Sequence, residues 1–164
     1  MRNVDLWTRR QIVDTMADLI AAHPFFDGLE HSYVTYLAGC AKNVHYSSGD
    51  YLFHEGEEAD RFLILRDGLV SLETFIPGRG AVTVQTIGEQ EVVGWSWLFP
   101  PFRWHFSVRC LELTRAVEFD GVCLRAKCDE DHDLGYDMLG RFAAIICQRL
   151  QATRLQLLDV YAAN

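Results

Sequence analysis

Arg103 and His105 stand among six aromatic residues between Gly94 and Phe106, and three of the chain's four tryptophans, Trp95, Trp97 and Trp104, are there too. A guanidinium and an imidazole between rings can orient a flat or apolar ligand. The rings supply contact area and the two polar heads supply hydrogen bonds. The same residue types also make a core plug, because aromatic side chains mostly stabilise cores. Gly94, Pro100 and Pro101 keep this backbone from running as a plain strand or helix. Core plug and pocket wall both fit the spacing.

Other constellations carry less. Cys123, Cys128 and His132 suggest a metal site, but structural zinc takes four ligands with cysteines closer together. Burial of Cys123 in a short helix is the simpler reading. There is no His-x-His pair, so the metal site of β-roll enzymes is not expected. His54 and Glu55 are adjacent, and on a strand they point to opposite faces. No Ser-His-Asp or Cys-His arrangement has local support, so neither catalytic residues nor a metal site are expected. The five cysteines are scattered, which excludes an iron–sulfur cluster. Their odd number and lack of framework spacing predict reduced thiols in a cytoplasm.

The elements that must position these residues follow from the apolar periodicity. Thr8 to Ala22 spaces its apolar residues at helical intervals, and His23-Pro24 with Gly28 ends that helix. A second helix is expected from about Glu30 to Cys40. From Asn43 to Phe119 short β-rich runs alternate with glycine turns: 44–46, 51–54, 62–65, 69–75, 82–87, 106–111 and 116–119. Asp67-Gly68 is the strongest hairpin signal among the turns. After Asp120-Gly121 the pattern is helical to the end. The chain is read as one domain: helices over 1–42, a β-roll over 43–119 and helices over 120–164. The fold class is mainly β, a double-stranded β-helix or jelly roll with flanking helices.

Ala143, Ile146, Leu150, Thr153, Leu157 and Val160 follow heptad spacing, and Arg149, Gln151 and Arg154 fall off that seam. Such a narrow seam is expected to pair with a second copy; packing on the chain's own barrel is the alternative. The net charge of −8 argues against nucleic acid and anionic membrane surfaces as partners. No apolar run approaches a membrane span, and no secretory signal is seen at the N-terminus.

The segment Ser48-Gly49-Asp50-Tyr51-Leu52-Phe53-His54-Glu55-Gly56-Glu57, then Asp60-Arg61-Phe62, then Asp67-Gly68-Leu69, resembles the cyclic nucleotide-binding domain family. Gly88-Glu89 followed by Val93-Gly94 resembles that family's approach to its phosphate-binding cassette. The resemblance runs from about His23 to Val160. It implies N-terminal helices, an eight-stranded β-roll and a C-terminal hinge helix, which in regulators of the catabolite-activator type forms the dimer seam. Those regulators continue into a helix-turn-helix; none follows in these 164 residues, so direct DNA binding is not expected.

The resemblance also implies a cassette of Val93, Gly94, Trp95, Ser96, Arg103, Trp104 and His105. In the family, a glutamate after the glycine accepts the ribose hydroxyl and a later arginine holds the cyclic phosphate, with backbone amides beside it. Here Trp95 takes the glutamate's place, and an indole accepts no hydrogen bond. The arginine's place falls at Trp104 or His105, with Arg103 just before it and Arg109, on an undetermined strand face, as a second candidate. Ordinary cyclic AMP or cyclic GMP binding is therefore set back, leaving a flatter or more apolar ligand, with Arg103 and His105 as its polar orienting groups, or the chain's own rings. Related gas sensors carry haem in this fold; His105, Cys110 and Cys147 are the axial candidates here. The expected function is a cytoplasmic, homodimeric regulatory or sensory module that signals to a separate effector protein, or else a ligand-free interaction scaffold.

Overall fold

The structure is a computed structural model, and it describes residues 14–163. Helix α1 (Met16–Ala21) begins with a capping box: Asp18 N–H donates to Thr15 Oγ1 at 3.2 Å, and Thr15 N–H donates to Asp18 Oδ2 at 2.9 Å. This pair satisfies orphan amides at the helix start and fixes the beginning of α1 at Met16. Residues 8–13 of the expected helix lie outside the described residues. A 3-10 turn (Pro24–Phe26) and α2 (His31–Ala38) follow.

Eight strands come next: β1 (Ala41–Tyr46), β2 (Tyr51–Phe53), β3 (Arg61–Asp67), β4 (Val70–Ile76), β5 (Gly80–Ile87), β6 (Val92–Val93), β7 (Ser107–Cys110) and β8 (Thr114–Asp120). They form two four-stranded antiparallel sheets, ordered β1-β8-β3-β6 and β2-β7-β4-β5. The chain closes with α3 (Gly121–Glu130) and the 31-residue α4 (His132–Ala162). No helix among the described residues is long and apolar enough to cross a membrane.

The expected hairpin at Asp67-Gly68 is corrected. β3 pairs with β6 and β8, whereas β4 pairs with β5 and β7, so this turn carries the chain from one sheet to the other. Gly68 sits at φ +105°, and a Cβ there would come within 2.6 Å of Thr114 Oγ1 and 2.7 Å of the Leu113 carbonyl oxygen. The glycine answers to this close approach and not to a two-residue hairpin. The hairpin is β4–β5, where Ile76 pairs with Gly80.

Alternation along β3 makes two cores. Phe62 and Ile64 face the helices, while Leu63 and Leu65 face the interior of the roll. Both faces are buried, so the strand reads as a continuous apolar run. The helix-side core adds Ile20, Leu37, Phe119, Leu124, Leu134, Met138 and Phe142; the roll interior holds Leu52, Phe53, Val70, Ile87, Val93 and Val108.

The expectation of reduced thiols is also corrected. Cys40 and Cys123 are joined in a disulfide, with their Cα atoms 5.7 Å apart at a sequence separation of 83. Fold position brings them together: Cys40 precedes β1, Cys123 follows β8, and those strands are paired from Ala41↔Phe119 onward. Two cysteines distant in sequence but on neighbouring strand ends leave no spacing signal. Cys110, Cys128 and Cys147 are free.

Candidate binding cassette

The segment after β6 divides its rings between the two cores. Gly94 sits at φ +90°, and a Cβ on it would stand 2.9 Å from Trp104 Cη2 and 3.0 Å from Cζ3. Only glycine lets the backbone cross the indole this closely. A 3-10 turn (Ser96–Leu98) follows and turns Trp97 away from the roll. Trp97 is fully buried in the helix-side core, stacked on Phe62 at 5.4 Å and edge-on to Phe142 at 5.4 Å. Trp104 enters the roll instead and stacks on Phe53, with ring centres 3.7 Å apart and planes at 9°. Neither indole N–H meets a hydrogen-bond partner, so packing sets both positions.

Backbone pairing explains why Trp104 goes in and Arg103 stays out. Ala59 N–H donates to the Phe102 carbonyl at 2.7 Å, Trp104 N–H to the Glu57 carbonyl at 3.0 Å, and Gly56 N–H to the Trp104 carbonyl at 2.8 Å. On such an extended stretch successive side chains alternate. Arg103 is exposed and donates from Nη1 to the Gly56 carbonyl oxygen at 3.0 Å, away from the cassette cavity. His105 is exposed at the cavity rim.

The remaining cavity is about 60 Å³. Sites for small organic ligands typically enclose roughly 300–1,000 Å³. Phe53, Leu72, Trp104 and Phe106 form its apolar walls, and Gly94, Trp95, Ser96, His105 and Arg149 line the rest. Of the expected cassette residues, Gly94, Trp95, Ser96, Trp104 and His105 come together here. Val93 is buried in the roll, and Arg103 does not line the cavity.

Arg149 is the residue that sequence reasoning missed. It reaches from α4 across the cassette, with its guanidinium carbon 4.8 Å from the centre of the Trp95 ring. Its Nη2 donates to the Val92 carbonyl oxygen. Burial pulls its pKa down, and Glu91 opposes that shift. A signal existed: Leu134, Met138, Phe142, Ile145 and Arg149 recur at helical spacing, a second stripe beside the heptad seam.

Arg109 resolves outward. It lies on the outer face of β7 and donates from Nε to Glu73 Oε1 at 3.0 Å. Glu73 is almost fully buried and also accepts from Ser71 Oγ at 2.7 Å, so Arg109 is committed to this network. The haem candidates do not fit the group. Cys110 is buried in the roll, where burial raises its thiol pKa; Cys147 is exposed on α4; and His105 borders a cavity far too small for a macrocycle. Cys123 is spent in the disulfide, and no three His, Cys, Asp or Glu side chains among the described residues are grouped to hold a metal ion.

The heptad positions lie on a largely exposed flank of α4 beside the stripe that ends at Arg149. Leu150 and Leu157 are 48% and 54% exposed, Ala143, Thr153 and Val160 are exposed, and Ile146 is half-buried. Own-barrel packing uses the other stripe.

Comparison with known proteins agrees with this architecture. Residues 43–131 match the family model of the cyclic nucleotide-binding domain. The chain is 25% identical over 145 residues to the CRP-like cAMP-activated global transcriptional regulator of Mycobacterium tuberculosis. That alignment covers 88% of this chain and 63% of the regulator, so the chain spans under two thirds of its curated relative. The fold is shared with a cyclic nucleotide-binding domain from Methylobacillus flagellatus (TM-score 0.74, 18% identity, 88% of this chain and 82% of that one). It is also shared with the catabolite activator protein of Thermus thermophilus (TM-score 0.66, 21% identity, 82% and 61%).

Two sheets rolled around an apolar interior, a glycine-centred cassette and a long terminal helix define a sensor-type β-roll. The chain belongs to the cyclic nucleotide-binding domain family, a regulatory family.

Proposed function

We propose that this chain is a homodimeric regulatory domain whose cassette is closed by its own side chains and is not gated by a cyclic nucleotide. The carrying observation is the 60 Å³ remainder of the cavity, with Trp104 stacked on Phe53 inside it and Trp95 held under Arg149. The family's ribose-accepting position is Trp95, and the nearby Arg103 is bonded elsewhere. In this reading residues 1–164 act as one unit, α4 pairs with its counterpart through Leu150 and Leu157, and the state of the cassette passes to a separate cytoplasmic effector protein. The net charge of −8 sets the unit against direct contact with DNA.

One observation favours a second reading. Arg149, Ser96 and His105 line the same cavity, which suits a small anion-bearing ligand that displaces Trp95. A thermal-shift screen separates the two. Cyclic AMP, cyclic GMP and cyclic dinucleotides at millimolar concentration are expected to leave Tm unchanged. A saturable rise with any of them overturns the closed-cassette reading. A rise with small oxyanions alone supports the second one.

A further inference from the structure

We propose that the Cys40–Cys123 disulfide is a redox-exchangeable clasp, opened by a dithiol reductant, that sets how firmly α3 holds the cassette segment. This concerns what anchors the segment, so it stands apart from the question of what fills the cavity.

The bond sits where a change is felt. Cys123 lies in the first turn of α3, and two residues on, Arg125 donates to the Trp97 carbonyl oxygen and covers the Phe102 ring at 4.5 Å. One side of α3 is therefore tied to the α2–β1 junction by sulfur, and another side grips the cassette segment. The other α2–α3 ties are non-covalent. Lys127 Nζ stands 3.4 Å from the centre of the Tyr36 ring, and Tyr36 OH donates to Glu130 Oε2 at 2.9 Å. At the α3–α4 corner, Tyr33 OH donates to Asp131 Oδ1 at 3.3 Å. Opening the disulfide leaves these in place, so α3 loosens without leaving.

The bond is also reachable. Cys123 is half-exposed, and Cys40, itself buried, adjoins a surface groove of about 300 Å³ with Lys42, Asp60 and Arg61. Exchange is an in-line displacement at sulfur. A reductant thiolate attacks the half-exposed Cys123 Sγ, a mixed disulfide forms there, and Cys40 Sγ leaves as a thiolate. The reductant's second thiol then displaces Cys123. Two electrons and two protons pass to the protein, and the reductant becomes a disulfide. Cys110 is buried, and neither it nor Cys128 or Cys147 is required.

The test uses the unmodified chain. After oxidation with diamide, denaturation and alkylation, mass spectrometry should count three modified cysteines of five. Native treatment with millimolar dithiothreitol before alkylation should raise the count to five. Hydrogen exchange of residues 95–103 and 121–130 should then run several-fold faster in the reduced protein, with the β-roll strands unchanged. The variant Cys123→Ser should exchange like the reduced protein under oxidising conditions. Five modified cysteines after diamide would overturn the proposal, because no bond forms. Resistance to native dithiol, cooperative unfolding on reduction, or identical exchange in both states would overturn it equally, since each describes an inert staple.

Discussion

The guanidinium of Arg149 faces the ring of Trp95 at 4.8 Å, which puts the terminal helix in direct contact with the cassette. In a domain of this family the contact is consequential, because α4 is the element expected to carry the signal. The cassette and the helix are already coupled by the chain's own residues.

Replacing Arg149 with methionine keeps much of the stem and removes the charge. It breaks the cation–π contact and the bond to the Val92 carbonyl. A loss of about 2 kcal/mol is expected, together with a change in tryptophan fluorescence. Urea unfolding followed by fluorescence measures both. Parent-like stability with an unchanged spectrum would show that the coupling is energetically idle.

Gly94 and Trp104 are expected to be non-additive. Trp104→Ala empties the centre of the roll and should cost about 3–5 kcal/mol. Gly94→Ala places a methyl group against the indole at a positive φ and should cost about 2 kcal/mol or more. In the double variant the methyl group no longer meets the indole, so the second cost shrinks to that of the backbone conformation alone. Strict additivity across the cycle would refute the close packing of these two residues.

His23 makes stability fall with acid. Its ring is buried, its Nδ1 accepts from Phe25 N–H at 3.2 Å, and burial holds its pKa below the usual histidine value. The folded state resists the proton that the unfolded state takes up near pH 6.5. The contribution is therefore complete above that pH and declines as pH falls from it towards the lower folded pKa. His23→Gln should flatten this part of a denaturation series between neutral and mildly acidic pH; an unchanged slope would assign the dependence to other groups.

Leu157→Asp tests pairing of α4. The position is 54% exposed and makes no part of the roll-facing stripe, so the monomer fold should be kept. Sedimentation should show the parent as a dimer and the variant as a monomer. A dimer in both would place the association elsewhere.

Much of the architecture was legible because it rests on local signals. The glycine turns and the short β runs each depend on residues within a few positions of one another. Asp67-Gly68 was misread for the same reason: its local chemistry suits a hairpin, but the glycine answers to Thr114 and Leu113, far along the chain. The Cys40–Cys123 bond escaped notice because strand pairing, not spacing, joins its ends. Within the cassette, residue types identified the right segment but not the direction of each ring. Trp97 and Trp104 look alike in sequence and end in different cores, because one follows a 3-10 turn and the other an extended stretch paired with 56–59.

Every described residue from Leu150 onward is exposed, so α4 overhangs the roll beyond Arg149. At 1.5 Å per residue the overhang to Ala162 is about 20 Å long. A rod that pivots at the Trp95 contact would be a lever. A tilt of about 5° there sweeps the tip by on the order of 2 Å, the size of helix shift that switches subunit interfaces. A rearrangement at the cassette too small to open the cavity would thus be magnified at the far end of the rod.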